Sequence, residues 1–177
     1  MRNEASILIP TFNRPHYLKR LLDYYNSFLL PYEIVVADSS SDKIKKMNDK
    51  TIRSFKNISI KHLDRYPPGI NPNYKIADAL KHVSSEYCAL CADDDFTTPG
   101  SIRKSVRFLD KNPDFSVSHG RYISFYLKPN SKGKAGFWWR PIQPYKSITS
   151  HDAKTRLVRH FSNYYITFYA VYRTKFL

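Results

Sequence analysis

Glycine is scarce in this chain, with five among 177 residues. Neither G-x-G-x-x-G nor G-x-x-x-x-G-K-[ST] occurs, so the dinucleotide and P-loop sites built on those glycines have no support. Cysteine is scarcer still, with two, too few for a disulfide framework and consistent with a reducing compartment. Cys88 and Cys91 stand at C-x-x-C spacing. On a strand, positions i and i+3 point to opposite faces, which argues against a shared metal or redox role. No apolar run approaches the roughly 18–20 residues that span a bilayer, and Met1-Arg2-Asn3-Glu4 leads into a strand-like run without the form of a secretory signal. The expectation is a cytoplasmic protein, peripheral at most to a membrane. The six histidines show no H-x-x-x-H or comparable ligand spacing.

Acidic residues are also short, and unevenly so. Residues 128–177 hold ten Lys/Arg against one acid, Asp152, whereas residues 1–127 hold 19 against 14. The net charge of +14 points to an anionic partner: a phosphorylated substrate, an anionic membrane surface or nucleic acid.

What is present reads as a globular α/β chain. Hydrophobic residues make up 42%, enough for one sizeable core. Ala5–Pro10 reads as a buried strand, and Leu18, Leu21, Leu22 and Tyr25 mark one face of a helix from Pro15 to Ser27. Tyr32–Asp38 is apolar on consecutive positions, the pattern of a parallel strand covered on both faces. A Lys-rich helix to about Phe55 follows, then a strand over Asn57–Leu63 and a helix over Asn73–Ser84. Tyr87–Ala92 is a fourth buried strand, and Thr98-Pro99 can cap and open a helix carrying Ile102, Val106 and Leu109. Strands over Phe115–His119 and Tyr122–Leu127 are expected next. A Lys/Gly/Pro loop with Trp138 and Trp139 within 128–147, a helix near Asp152–Phe161 and a strand over Ile166–Tyr172 complete the chain. Alternating strands and helices over the first 111 residues imply a mostly parallel sheet flanked by helices.

In such sheets ligands lie beyond the carboxyl ends of the strands, which singles out Pro10–Arg14, Asp38–Asp42 and Asp93-Asp94-Asp95. Three adjacent carboxylates at a strand end repel one another. A hard cation such as Mg2+ or Mn2+ relieves this, held by one or two carboxylates and substrate phosphates; a solvated acidic turn capping the next helix is the alternative. Asp38 can accept from a base or ribose, or simply form a turn before Ser39. Arg14 and Lys75 can neutralise phosphates, or be surface cations. Trp138 and Trp139 can stack on a sugar or base, or close the edge of a core. A nucleic-acid-binding role suits the charge and the 14 tyrosines, but leaves an acidic triplet that repels phosphate.

Together these residues resemble the family 2 glycosyltransferases and their GT-A (Rossmann-like) fold. Ile7–Arg14 is similar to the family's first strand and nucleotide loop, Ile34–Asp42 to its second strand and base-contacting acid, and Glu86–Asp95 with Pro99 to its D-x-D segment. The resemblance implies one domain over 1–177, with a nucleotide-sugar-binding half at 1–111 and an incomplete acceptor-side half at 112–177. It implies a nucleotide-sugar pocket of Pro10, Thr11, Phe12, Arg14, Asp38, Ser39, Lys75, Asp93 and Asp94. A Mn2+ or Mg2+ ion would be held by Asp94 and Asp95. Counting back from Pro99 sets the motif as Ala92-x-Asp94; reading it as Asp93-x-Asp95 shifts each role by one residue. The reaction implied is transfer of a sugar from a nucleoside diphosphate sugar, UDP-linked, to a hydroxyl on a glycan or lipid-linked acceptor, with inversion. Relatives carry their catalytic base after a strand like Ile166–Leu177, so the base is expected beyond Leu177, leaving Asp152 as a weaker candidate. A non-catalytic sugar-nucleotide-binding fragment is the alternative.

Overall fold

The computed structural model describes residues 4–129, 135–141, 146–163 and 166–177. These form two compact units: residues up to His119 together with Phe168–Leu177, and Gly120–Thr167. The last ten residues belong to the first unit.

The first unit is built on a six-stranded sheet. Its strands are β1 (Ala5–Thr11), β2 (Glu33–Asp38), β3 (Ile60–Leu63), β4 (Tyr87–Leu90), β5 (Val117–Ser118) and β8 (Val171–Arg173), in the order β3-β2-β1-β4-β8-β5. The first four run parallel, and β8 pairs antiparallel with both β4 and β5. Helices α1 (Pro15–Ser27), α2 (Asp42–Ser54), α3 (Pro72–Leu80) and α4 (Pro99–Lys111) connect them.

Strand alternation divides the core in two. Ile7, Ile9, Ile34, Val36, Ala89 and Cys91 pack with the stripes of α1 and α4 on one face. Leu8, Val35, Ala37, Cys88 and Leu90 pack with Ala79 of α3 on the other. The apolar runs are therefore strands buried on both sides, and Cys88 and Cys91 lie on opposite faces. Asn71 and Thr98 cap α3 and α4 by accepting from Asn73 and Ser101 N–H groups, each with proline in the first turn, where a missing N–H costs nothing.

Several expected boundaries move. The third strand keeps only Ile60–Leu63, and the fifth only Val117–Ser118. α3 stops at Leu80, because His82 and Val83 N–H groups bond the carbonyls three residues back, tightening the last turn; Val83 still packs on the second face. The strand expected over Ile166–Tyr172 is instead Val171–Arg173, preceded by a turn. The loop expected over 128–147 contains a strand: β6 (Ile123–Pro129) and β7 (Ala135–Pro141) form an antiparallel pair in the second unit. Residues 130–134 and 142–145 of that loop lie outside the described residues. The adjacent, bulky Trp138 and Trp139 mask the period of two that marks a strand. α5 (Ala153–Asn163) lies near its expected position.

Candidate functional site

The chain crosses from β1 to β2 and β3 on one side and to β4 on the other, so the β1/β4 boundary is the switch point where α/β sheets open a crevice. A buried hydrogen bond spans it: Thr11 Oγ1 donates to Asp93 Oδ2 at 2.7 Å. Arg14, at the head of α1, donates from one nitrogen to Asp93 at 3.3 Å and to Asp94 at 3.0 Å. Asp93 is 3% exposed, while the Asp94 side chain is 43% exposed. Burial raises the Asp93 pKa, against the Thr11 hydrogen bond and the Arg14 charge, which lower it.

The β1 loop is fixed by Asn13, which has φ +55°. Asparagine tolerates this left-handed conformation better than most residues. Its N–H donates to Ser40 Oγ at 2.8 Å, and its side-chain oxygen accepts from Ser41 N–H at 2.9 Å. The loops after β1 and β2 are thereby tied together. Phe12 projects from this loop and is exposed; Pro10 is partly buried.

Asp38, wholly buried at the end of β2, accepts from the Ser40 N–H at 2.8 Å and from Asn48 of α2 at 2.7 Å. His62 Nε2 faces its Oδ2 at 3.2 Å. Burial alone would raise its pKa, but bonds from His62, Asn48 and Ser40 outweigh burial and hold it at about 2. Three of its roughly four acceptor positions are engaged.

Lys75 differs from a surface cation. It is 3% exposed, and its ammonium donates to the Thr11 carbonyl at 2.9 Å and to Ser39 Oγ at 2.8 Å. Burial lowers its pKa, opposed by the charges of Asp38 and Asp93. Two of its three hydrogens clamp the ends of β1 and β2. Asp95 turns the other way: its carboxylate accepts from the Tyr169 hydroxyl, in the turn before β8. Asp152 lies in the second unit, where its Oδ2 accepts from the Thr155 N–H at 2.6 Å and caps α5.

The structure thus joins Thr11, Arg14, Asp93 and Asp94 in one cluster and links it through Lys75 to Ser39. Arg20, Asn48, His62 and Tyr169 were not legible as site residues. Arg20 donates to the Asp94 carbonyl at 2.7 Å, two turns along α1 from Arg14; the i, i+3 spacing of Arg14, Tyr17 and Arg20 on one helix face was the available signal. Two open clefts, of about 480 and 450 Å3, lie elsewhere, beside α3 and along α2. The carboxylate cluster lies outside both clefts. Among the described residues no group of three His, Cys, Asp or Glu side chains encloses a metal.

A mostly parallel sheet with carboxylates and cations at its switch point makes this an α/β protein whose candidate site lies at the carboxyl ends of the strands. The sequence model of glycosyl transferase family 2 matches residues 6–177, and the chain belongs to that family. It is 29% identical to the uncharacterized glycosyltransferase YwdF of Bacillus subtilis over 132 residues, covering 73% of this chain and 46% of YwdF. With the uncharacterized protein Rv1520 of Mycobacterium tuberculosis the identity is also 29%, over 122 residues, covering 63% and 33%. The chain therefore spans a third to a half of the length of these relatives. Among solved structures, residues 1–349 of S. aureus TarS in complex with UDP-GlcNAc superpose with a TM-score of 0.57 at 16% identity, covering 98% of this chain and 46% of that one. The mannosyltransferase PcManGT from Pyrobaculum calidifontis, in complex with GDP-Man and Mn2+, gives 0.55 at 18%, covering 66% and 35%. The fold is that of the GT-A glycosyltransferases.

Proposed function

We propose that this chain binds a nucleoside diphosphate sugar, UDP-linked, with a divalent cation, and belongs to an enzyme that transfers the sugar to a hydroxyl acceptor with inversion. The observation that carries the reading is the Thr11–Arg14–Asp93–Asp94 cluster at the β1/β4 switch point. The donors in the TarS and PcManGT complexes are a UDP-sugar and a GDP-sugar, and Mn2+ accompanies the latter.

The residues fit a cation held partly by substrate. Asp93 accepts from Thr11 and Asp95 from Tyr169, whereas the Asp94 side chain is exposed and, among the described residues, paired with Arg14. One carboxylate plus diphosphate oxygens is a usual donor set for Mg2+ or Mn2+, and Asp94 would supply it. When bound, the cation offsets negative charge on the departing diphosphate. Arg14 and Arg20 add fixed positive charge at the same edge, Asp93 accepts from ribose or sugar hydroxyls, and Phe12 and Pro10 flank the base. Asp38, wholly buried, acts on the base through the Ser39–Ser40 loop it orders. The acceptor is a glycan or lipid-linked hydroxyl, whose proton a carboxylate base removes. Asp152 is a poor base: its hydrogen bonds from Thr155 lower its pKa.

Thermal-shift measurements with UDP, GDP and their sugars, each with and without Mn2+, test the reading, since a bound ligand raises stability by mass action. UDP with Mn2+ is expected to give the largest shift. Asp38→Ala should weaken nucleotide binding while leaving its metal dependence. No shift with any nucleotide would remove the proposal.

A further inference from the structure

Residues 120–167 carry exposed apolar side chains of their own. In an antiparallel pair, directly opposed residues share a face and successive residues alternate. Phe125 opposes Trp139 and Ile123 opposes Pro141. Phe137, two residues from Trp139, shares their face, and its ring centroid lies 5.7 Å from that of Phe125. This side of the β6–β7 pair is apolar, while Ser124, Tyr126, Lys128, Trp138 and Arg140 take the other. Yet Ile123, Phe125, Phe137 and Trp139 are 47–62% exposed. α5 repeats the pattern independently. Leu157, Val158 and Phe161 share one stripe at i, i+1 and i+4, are all exposed, and are surrounded by Lys154, Arg156 and Arg159. Residues 120–167 contain nine Lys/Arg and one acid, Asp152.

We propose that the apolar face of the β6–β7 pair docks on an anionic lipid surface, with the α5 stripe as a second contact. Aromatic and apolar side chains on a basic element are what enters the headgroup–acyl boundary. The sheet here is one layer thick. Lys128 and Arg140 on its far side therefore remain about a Debye length, ~8 Å at physiological ionic strength, from the lipid charge. A second copy of the chain would bring like charge against like charge. A single-stranded nucleic acid is bound by basic groups tracking its backbone beside stacking aromatics; that combination belongs to the opposite face, where Lys128 and Arg140 accompany Tyr126 and Trp138, and not to the apolar face proposed here.

The test is cosedimentation of the full chain, without nucleotide, with phosphatidylglycerol-containing or purely phosphatidylcholine vesicles. Its outcome is independent of the donor reading. Binding is expected to the anionic vesicles only, and to fall as salt rises. Phe137→Ser with Trp139→Ser should lower vesicle affinity about tenfold or more, given the apolar burial lost. Tyr126→Ser, on the opposite face, should stay near wild type, and circular dichroism confirms that both variants fold. Trp138→Phe leaves Trp139 as the sole indole, and its emission should shift to the blue on anionic vesicles and be quenched by brominated lipid. Equal binding to neutral vesicles, no binding, or equal loss in the two serine variants would overturn the proposal. So would an indole already shielded from aqueous quencher without lipid, or self-association abolished by the Phe137/Trp139 change, because each means that protein covers the face.

Discussion

Arg14 pairs with both Asp93 and Asp94 and offsets part of their charge, the same electrostatic task a divalent cation would perform. The two compete, so Arg14→Ala should bind Mn2+ more tightly than wild type when no nucleotide is present, by several-fold, while binding UDP more weakly. Calorimetry measures both, and weaker metal binding in the variant would show that Arg14 does not compete. Thr11→Val removes the only donor that reaches Asp93 from β1; leaving that buried carboxylate short of a partner should cost about 1–3 kcal/mol in urea unfolding. Asp38 gives a pH signature. Its folded pKa of about 2 lies below the ordinary carboxylate range, so it stabilises the fold above about pH 4, and this contribution is lost as pH falls towards 2. Asn48→Ala removes one of its hydrogen bonds and should move the acid-unfolding midpoint upwards; an unchanged midpoint would contradict the assigned cause. Asp38, Asp93 and Asp94 were legible from sequence because carboxylates at strand ends are costly without a reason. Asn48, His62 and Tyr169 were not, because each reaches its partner through chain reversal: Tyr169 meets Asp95 across 74 positions.

The elements formed by local pattern were read nearly to the residue. α1 and α4 have a single apolar stripe and an opening proline, and β1, β2 and β4 are apolar on both faces. Elements defined by partners were misjudged. β8 is short because only Val171–Arg173 finds β4 and β5, and β7 exists through its pairing with β6. Caps give the tests at this scale. Thr98→Ala should destabilise by about 1 kcal/mol, read by chemical unfolding, because the Ser101 N–H loses its side-chain acceptor and keeps only the Thr98 carbonyl. Asp152→Asn preserves a good cap, so stability and any sugar transfer should change little; abolished transfer would make Asp152 the base after all.

Across the whole molecule, the basic excess and the acidic rim answer different partners. The net charge of +14 draws in a nucleoside diphosphate, yet the cluster it must approach contains Asp93 and Asp94. Phosphate and carboxylate repel unless a cation stands between them. Metal dependence of nucleotide binding is therefore the central claim, and calorimetry of UDP with Mn2+, repeated in excess chelator and with Asp94→Asn, tests it most directly. The expected result is clear binding with Mn2+, a large loss in chelator, and a variant whose weak residual affinity no longer responds to the metal. Equal UDP affinity with Mn2+ and with chelator would contradict the account.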